Sequence, residues 1–352
     1  MARALNFGIV GLGMGGHHAL AIKTAKGAQL VAICDTDEER LYPMAKEHDC
    51  KAYERYGAML KDPEIDAVCI VTETGYHATM GVQAARAGKH IIMEKPIDVN
   101  PAKMRRFEDA VASAGVKCGC IFQSRMDNCN IMIKRAIDKG RMGRTLGLHG
   151  WLPWFRGPDY FAGKHGPWRG TWKLDGGGSM MNQGVHTVDM LLFLGGPVES
   201  VFGYYGVFNH DIESEDNVVA CLKFANGALG TLFTTTCTVP EGSQLLYGFG
   251  TKGSFRKQDE QLEAYDMGPK KERERMMRLF GGKKKGSAIA KDPMAVSEDG
   301  HTLIVEDLVK AVRYNREPII PISTAKQAVE LVCAIYKAGR TGREVKVSSI
   351  SK

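Results

Sequence analysis

Three glycines near the start of the chain have the spacing of a phosphate-binding turn. In "FGIVGLGMGGHH", Gly11, Gly13 and Gly16 directly follow an apolar run and open a helical pattern. Glycines permit a tight turn and the close approach of a pyrophosphate, and the following helix offers N–H groups to the anion. A plain structural turn is the alternative. The next apolar run, "QLVAICD", ends in Asp35, where an acid would bond a ribose diol, so the two motifs together predict dinucleotide binding.

Asp35 also bears on the choice of dinucleotide. Its carboxylate would repel a 2′-phosphate, and the neighbouring Thr36 supplies no cation to hold one. The sequence therefore favours NAD over NADP.

A lysine stands directly after another apolar run, in "HIIMEKPIDV". Ligands of open α/β sheets lie outside the carboxyl ends of the strands, so Lys95 can point at a bound nicotinamide. Partial burial beside that cationic ring would lower the pKa of Lys95 and let it accept a proton, with Glu94 to orient it. The alternative is a surface ion pair before a turn proline, and position alone does not decide between the two.

A polar stripe lies on an otherwise apolar helical pattern in "GGGSMMNQGVHTVDMLLFLGGP". At 3.6 residues per turn, Asn182, His186 and Asp189 fall on one face. Burying three polar groups together is costly unless they have partners, although a lone histidine in such a helix is more often structural. Ahead of this helix, an irregular segment collects aromatic rings and an arginine, which suit a sugar or other polyol but also suit ordinary packing; they are Trp154, Tyr160, Trp168, Arg169 and Trp172.

Alternating strand and helix patterns position the first two motifs. We expect strands near 5–10, 29–34, 67–71, 90–93 and 117–122, with helices near 15–26, 37–48, 76–88 and 101–114, which is the pattern of a doubly wound parallel sheet. After a helix at 128–139 and a strand at 145–152, strand-like runs at 198–208, 217–224, 228–236 and 244–250 follow one another without helices and predict a mostly antiparallel sheet. Helices at 303–314 and 325–338 close the chain.

Length and composition bound the fold class. A chain of 352 residues predicts two domains, one at 1–123 with the parallel sheet and the dinucleotide turn and a second at 124–352. A closing helix at 323–339 is expected to pack back near the first domain. The glycine turn leaves no room for a signal peptide, and no apolar run is long enough for a membrane span, so we expect a cytoplasmic protein without membrane contact.

Cysteine spacing and charge exclude further classes of site. The nine cysteines show no CxxC spacing, and five in apolar segments (Cys34, Cys69, Cys118, Cys120 and Cys333) are expected to be small buried hydrophobes, so no metal site is predicted. The net charge of +7 arises within 270–291, read as a solvated helix followed by a mobile loop. A subunit or anionic-ligand contact is favoured there over nucleic acid, which we do not expect as a partner.

Taken together, the motifs resemble the glucose–fructose oxidoreductase and inositol dehydrogenase (Gfo/Idh/MocA) family. The order of the glycine turn with His17 and His18, Glu94-Lys95-Pro96, Trp168-Arg169 and the Gly184-x-His186-x-x-Asp189 helix carries the resemblance, and "YGFGTKGSF" is similar to that family's late strand pair. The resemblance implies an NAD-binding Rossmann domain at 1–123 and a substrate-binding and oligomerisation α/β domain at 124–352, whose open sheet mediates homo-oligomers. It also implies nicotinamide-dependent redox chemistry on carbohydrates.

The resemblance also implies site residues. It gives catalytic roles to Lys95, His186 and Asn182. It places these residues at the cofactor: Gly11, Gly13, Met14, Gly16, Asp35, Thr72, His77, Glu94, Lys95, Gln123, Trp168 and Arg169. It places these at the substrate: Lys95, Arg125, Tyr160, Trp168, Trp172, Asn182, His186 and Asp189.

Two positions depart from the family pattern. Asn182 stands where many members have Asp, which shifts acid/base work toward Lys95 and His186. Glu73 and Thr74 replace the usual Pro and Asn between Thr72 and His77. Within the family, "WRGTW…DGGG…NQGVH" looks more like members that oxidise C3 of hexopyranosides, nucleotide sugars or glycosides than like inositol dehydrogenases. A glycosidase that uses NAD transiently and a non-catalytic NAD-binding regulator are the rival hypotheses, and intact Lys95 and His186 disfavour the regulator.

Overall fold

The computed structural model describes residues 3–162, 167–282 and 298–350. It divides the chain into two compact units, one of residues 1–123 with 296–326 and the other of residues 124–295 with 327–352. The predicted loop at the end of the basic segment falls at 283–297, outside the described residues. No helix within the described ranges is both long and apolar enough to cross a bilayer.

The first unit is a six-stranded parallel sheet with helices, as predicted for a Rossmann domain. Its strands are β1 (Leu5–Val10), β2 (Ala28–Cys34), β3 (Lys51–Tyr53), β4 (Ala67–Ile70), β5 (His90–Met93) and β6 (Cys118–Cys120), in the spatial order β3-β2-β1-β4-β5-β6. Its early helices are α1 (Gly15–Thr24), α2 (Glu38–His48), α3 (Tyr56–Leu60), α4 (His77–Arg86) and α5 (Pro101–Ala114).

Local sequence explains several of these helix boundaries. The Asp37 side chain caps α2 by accepting from the Glu39 N–H, and Asn100 caps α5 in the same way ahead of Pro101 at the first helical turn. Gly115 ends α5 in the left-handed conformation, with φ of 67°. The three-residue β3 and the five-residue α3 are too short to show a hydrophobic period, so the sequence did not predict them.

The late segment 296–326 joins the first unit, whereas the sequence prediction placed it in the second domain. Helix α10 (Glu298–Arg313) lies against α1, where Glu306 accepts from the Lys26 N–H at 3.2 Å. The chain then continues beside β6, where the Cys120 N–H donates to Ile320. Sequence order alone could not show this return, because the pairing spans about 200 residues. Helix α11 (Ile322–Thr341) follows, and the division between units falls within it.

The second unit contains a mostly antiparallel sheet, as predicted, and this sheet has eight strands. Its strands are β7 (Thr145–Pro153), β8 (Val198–Gly206), β9 (Asn217–Phe224), β10 (Leu229–Thr235), β11 (Leu245–Gly250), β12 (Ser254–Gln258), β13 (Gln261–Asp266) and β14 (Val345–Lys346). Their order is β13-β12-β11-β7-β10-β9-β8-β14, and only the β7–β10 pair is parallel. Its helices are α6 (Asn128–Asp138), α7 (Pro158–Ala162), α8 (Val185–Gly195) and α9 (Lys270–Phe280).

Cysteines Cys34, Cys69, Cys118 and Cys120 are buried, as expected of small hydrophobes. Cys333 is only half-buried, because it lies at a partly exposed position of α11. The predicted solvated helix of the basic segment is α9, in which Met276 is the one buried residue.

Candidate functional site

The glycine turn after β1 has the backbone geometry that the sequence predicted. Gly11 has φ of 89°, and a Cβ there would lie 2.6 Å from the backbone carbonyl of Val71, so only glycine fits. Gly13 is exposed, with nothing nearer than 4.0 Å to an added Cβ. Helix α1 begins after Met14 with no side-chain cap and no acid in its first turn. Open space before uncapped N–H groups fits the pyrophosphate of a dinucleotide.

Asp35 is fixed beside this turn by two backbone amides. The Leu12 N–H donates to one carboxylate oxygen at 2.7 Å, and the Asp37 N–H donates to the other at 2.9 Å. Each oxygen keeps a second lone pair that could accept a ribose hydroxyl. The residue therefore has the orientation and the capacity that ribose binding needs.

His77 links two neighbouring strand ends. Its ring is buried, with Nδ1 2.7 Å from the Pro96 carbonyl and Nε2 2.8 Å from the Thr72 carbonyl. Burial lowers the pKa of His77, and a neutral ring donates to only one of these oxygens at a time. His77 was predicted to contact the cofactor, but both of its ring nitrogens already face protein oxygens. In the structure it holds the Lys95–Pro96 segment against the end of the neighbouring strand.

Glu94 lies in a buried cluster with two histidines. One carboxylate oxygen is 3.0 Å from His18 Nε2 and 3.7 Å from His301 Nε2, and the other accepts the Lys95 N–H at 2.8 Å. Burial alone would raise the pKa of Glu94, but the histidine hydrogen bonds and the Lys95 charge outweigh it and hold that pKa well below its usual range. Glu94 is therefore an anion that orients the backbone carrying Lys95.

The first unit thus brings most of its predicted residues to one edge of the sheet. Strands β1, β4 and β5 are adjacent and parallel, so the glycine turn, Thr72 and Lys95 follow neighbouring carboxyl ends. Gln123 is the last residue of the first segment of this unit and the first residue of a short 3₁₀ turn (Gln123–Met126). His301 was missed, since nothing in its helix marks it as a partner of Glu94.

In the second unit, the helix predicted from Ser179 begins as a π-helical turn. Residues Ser179–Gly184 form this turn and α8 starts only at Val185. A π turn has a longer period than 3.6, so the predicted alignment of Asn182 with His186 and Asp189 does not hold. The structure gives the three residues different surroundings.

A buried glutamate anchors this turn. Glu215 accepts from the backbone N–H groups of Ser179 and Met180 at 3.1 and 3.0 Å and from the Tyr336 hydroxyl at 2.5 Å. A Cβ on Gly177 would lie 2.1 Å from that hydroxyl, which explains a glycine there. Burial raises the pKa of Glu215. Sequence reasoning missed Glu215 and Tyr336, because they approach the turn from distant parts of the chain.

Asn182 belongs to a directional chain of hydrogen bonds. Arg156 donates to the Gln183 oxygen at 2.8 Å, and the Gln183 amide donates to the Tyr160 hydroxyl at 2.6 Å. Tyr160 lies 3.3 Å from the Asn182 oxygen, and the Asn182 amide donates to the Asp175 carboxylate at 2.5 Å. The carboxylate can only accept, so it fixes which way Asn182 faces. A carboxylate is thus present behind the asparagine that stands where the family often has Asp.

Asp175 also holds the Trp-Arg segment. Its second oxygen accepts the Gly170 N–H at 2.8 Å, directly after Trp168 and Arg169. The Arg169 guanidinium stacks 4.2 Å from the Tyr160 ring centre and 5.5 Å from that of Trp168. The sequence "LDGGG" contained this aspartate but gave no sign of its partners.

Trp172 is packed among other rings. It meets Tyr336 and Tyr205 edge-to-face, with centroids 5.1 and 5.8 Å apart. These contacts fix the indole, whose predicted part in a sugar wall stays a prediction. His186 is half-buried at the start of α8.

Arg125 and Asp189, both predicted at the substrate, bind one another. The guanidinium donates to both carboxylate oxygens, at 2.8 and 2.5 Å, and Asp189 is fully buried. The predicted role of Asp189 in holding a sugar hydroxyl is therefore wrong in this structure, because no carboxylate surface is open. Asp189 instead fixes Arg125 against α8.

Two clusters bring together side chains of types that can bind metals, although no metal site was predicted. One is His18, Glu94 and His301, and the other is His210, Asp216 and Cys237. In the second, Asp216 accepts three backbone N–H groups and burial raises the pKa of the Cys237 thiol to about 11. The hydrogen bonds to Asp216 hold the residues of this cluster in place.

Comparisons with known proteins agree with both units. A family profile described as the oxidoreductase family with an NAD-binding Rossmann fold matches residues 5–122, and the GFO/IDH/MocA C-terminal domain matches residues 131–256. Myo-inositol 2-dehydrogenase of Thermotoga maritima is 30% identical over 258 residues, covering 71% of this chain and 74% of that protein. scyllo-Inositol 2-dehydrogenase of Bacillus subtilis is 29% identical over 264 residues, covering 72% and 74%.

Among solved structures, the WlbA dehydrogenase of Bordetella pertussis is similar over 98% of each chain, with a TM-score of 0.86 and 29% identity. That protein was solved in complex with NADH and UDP-GlcNAcA. The two domain matches agree with the glycine turn and with the Glu94-Lys95-Pro96 strand end. This chain belongs to the Gfo/Idh/MocA family of NAD-dependent oxidoreductases and is an enzyme of the sugar and inositol dehydrogenase type.

Proposed function

We propose that the protein oxidises a secondary hydroxyl, at C3, of a sugar, glycoside or nucleotide sugar with NAD. The observation that carries the proposal is the edge of the first sheet. There, an uncapped glycine turn and a fixed Asp35 offer a dinucleotide site, and Lys95 follows a strand at the same edge. A dinucleotide turn and a lysine at one sheet edge would supply the two groups that oxidation of a hydroxyl requires, a hydride acceptor and a base. The Glu94 carboxylate holds the Lys95 backbone N–H.

Lys95 is the proposed proton acceptor. The nicotinamide, when bound, supplies the hydride acceptor. Lys95 takes the proton of the substrate hydroxyl, directly or through His186, while Glu94 keeps its backbone in place. Asn182 cannot accept that proton. Its side-chain N–H donates to Asp175, which leaves its side-chain oxygen facing the Tyr160 hydroxyl. The polar chain of the second unit then serves to orient sugar hydroxyls.

NAD is the proposed cofactor, with NADP as the alternative. The fixed carboxylate of Asp35 disfavours a 2′-phosphate. Arg40, which sequence reasoning did not consider, lies 4.0 Å from an added Gly13 Cβ and pairs with Asp37 at 2.9 Å. Its charge is thus partly compensated by an acid. Binding of both dinucleotides to the same preparation compares them directly.

We infer oxidation at C3 and the class of sugar substrate from the similarity of this chain to known dehydrogenases. WlbA was solved with a nucleotide sugar, and the two curated relatives act on inositols. An inositol dehydrogenase is therefore the nearest alternative. A glycosidase that oxidises C3 transiently is a second, since the ketone would acidify the C2 proton and allow elimination of the aglycone.

A substrate panel separates these functions. The purified protein would be given NAD with myo-inositol, a methyl glucoside, a nitrophenyl glucoside and a UDP-sugar. A sugar dehydrogenase accumulates NADH equal to the ketone formed. A glycosidase releases nitrophenol with no net NADH, and an inositol dehydrogenase turns over only the cyclitol. Absence of all products with bound NAD would support the regulator and contradict the proposal.

We further propose a homo-oligomer formed through the second sheet. In-register positions on five strands place apolar side chains on one face, and three of them are clearly exposed: Trp151 (46%), Val219 (47%) and Tyr204 (64%). Leu245 and Phe233 complete this row. A contiguous apolar face of this kind is typical of an association surface. Sedimentation velocity tests it, and a monomer at micromolar concentration would contradict it.

A further inference from the structure

His301 lies against Glu94, the carboxylate that holds the Lys95 backbone N–H. Its ring is buried, and its Nε2 is 3.7 Å from the same Glu94 oxygen that His18 Nε2 meets at 3.0 Å. The two imidazole rings are perpendicular, with centroids 5.4 Å apart. A bare ring lone pair would repel the carboxylate, so the His301 Nε2 faces it as an N–H. Two imidazole N–H groups therefore share the charge of one carboxylate oxygen.

The start of α10 is shaped to bring His301 to this position. Gly300 precedes it, and a Cβ on Gly300 would lie 2.8 Å from the Gln123 Cβ, so the first turn of the helix approaches Gln123 closely only with a glycine there. Further along the helix, Glu306 accepts the Lys26 N–H at 3.2 Å and holds α10 near α1. The backbone of its helix thus fixes where His301 lies.

His18 donates to Glu94 but brings no charge to it. Its Nδ1 is buried and has no hydrogen-bond partner within 3–162, 167–282 or 298–350. A cationic ring would bury a second N–H without an acceptor, so His18 is neutral with its proton on Nε2, and burial lowers its pKa. A metal on Nε2 would leave the same N–H without the acceptor that metal-bound histidines have. Hydrogen bonding therefore accounts for the contact between His18 and Glu94.

The other groups that feel the Glu94 charge are Cys69, His77 and Lys95. Burial raises the pKa of the Cys69 thiol and lowers that of the His77 imidazole, so both are neutral. Burial also opposes ionisation of Glu94, but the two other histidines and the Lys95 charge hold its pKa well below the usual range. The attraction is mutual, so the Glu94 anion favours the protonated form of the Lys95 amine.

We infer that His301 is a positioning residue that acts through Glu94 and keeps the Lys95 amine free to accept a proton. The inference rests on the proposed function, in which Lys95 is the base. Because His301 takes up part of the carboxylate charge, Glu94 holds a proton on Lys95 less strongly. Without His301, Glu94 stays ionised beside His18 and Lys95, and Lys95 releases its proton only at a higher pH.

Titration of the Lys95 amine tests the inference without turnover. The rate at which an amine-reactive reagent labels Lys95 would be followed against pH by peptide mass spectrometry, in wild type, His301→Phe and His301→Gln. The control is His48→Phe, which removes a half-buried histidine at the end of α2. We expect the Lys95 midpoint to rise by about one pH unit in His301→Phe, to recover by about half or more in His301→Gln, and to stay unchanged in the control.

A second background shows whether the effect passes through Glu94. In Glu94→Gln the carboxylate charge is gone, so adding His301→Phe should move the Lys95 midpoint by less than about 0.3 pH unit. Turnover should show the same dependence. We expect kcat of His301→Phe to fall about tenfold at neutral pH and to come within about twofold of wild type at high pH, with KM for the sugar within about twofold throughout. A merely structural role would lower kcat at every pH.

Three results would overturn the inference. They are an unchanged Lys95 midpoint in His301→Phe, an equal shift in the Glu94→Gln background, and a His301→Gln curve that coincides with that of His301→Phe. If His301→Phe does not fold, His301→Met removes the same N–H with a flexible side chain and is judged by the same criteria. A shifted midpoint in a protein that forms no NADH with any sugar would count against the proposed dehydrogenase alone.

Discussion

The two units hold their candidate site residues in different ways. In the first unit, the candidate residues follow the ends of regular parallel strands: the glycine turn, Asp35, Thr72 and Lys95. Each belongs to a short motif of consecutive residues. In the second, Tyr160, Arg169 and Asn182 sit in irregular segments that are tied together by residues far apart in sequence. Site residues at regular strand ends can be predicted from their spacing in the sequence. Site residues in irregular segments can be recognised only from their contacts in the structure.

The largest expected effect is at the most local motif. Gly11→Ala would place a Cβ 2.6 Å from the Val71 carbonyl at φ of 89°, so the turn must move. We expect a loss of about 2–4 kcal/mol in the free energy of unfolding and at least about a hundredfold loss of NAD affinity. Fluorescence titration with NADH and urea unfolding measure the two.

Gly57→Ala is the matched control. Its added Cβ meets nothing within 4 Å and its φ is not left-handed, so binding and stability should stay near wild type. If both variants bind NADH equally well, the glycine turn is not the dinucleotide site.

The pH dependence of the free energy of unfolding tests a buried carboxyl of the first unit that belongs to none of the sequence motifs. Asp98 is fully buried beside the Lys95 segment, and burial raises its pKa to about 6 despite hydrogen bonds from Ala78 and Asn100. The folded state therefore holds a proton between about pH 4 and 6 that the unfolded chain has released. The Asp98 contribution to the free energy of unfolding is fully favourable below about pH 4 and falls by at most about 3 kcal/mol as pH rises through 6.

Asp98→Asn removes this titration. The difference in unfolding free energy between wild type and variant should fall with rising pH across that window and be flat on either side. Urea unfolding at a series of pH values, followed by circular dichroism, gives the difference. Parallel curves for the two proteins would show that Asp98 titrates normally.

A smaller effect is expected in the second unit. Asp175→Asn keeps the shape of the side chain but replaces one of its two accepting oxygens by a donor, so either Gly170 or Asn182 loses its acceptor. We expect the KM for the sugar to rise about tenfold with less change in kcat and none in NAD affinity. The control is Asp159→Asn on the exposed surface of α7. Equal KM values in Asp175→Asn and Asp159→Asn would show that Asp175 does not position the substrate site.

The sequence predicted the first unit more completely than the second. The parallel sheet of the first unit followed from strand–helix alternation, and the tight turn at Gly11 followed from glycine spacing. His301 did not, because it approaches Glu94 from about 200 residues away. The role of His77 was also misread, since a sequence motif does not tell a ligand contact from a backbone clamp.

In the second unit the residue types were found but their partners were not. The stripe of Asn182, His186 and Asp189 assumed an α-helix, and the π turn at Ser179–Gly184 broke its period. Asp189 proved to be the partner of Arg125. Glu215, which anchors the turn, lies in a connection between strands with no periodic signal of its own.

The central claim is that Lys95 accepts the substrate proton at the edge of the first sheet. Lys95→Met keeps the length of the side chain and removes its amine, and Lys46→Met on the exposed face of α2 is the control. With the best substrate of the panel, stopped-flow NADH formation and NAD binding would be measured on the same samples. We predict a fall in kcat of about a thousandfold or more with NAD affinity within twofold of wild type. Wild-type turnover in Lys95→Met would contradict the account.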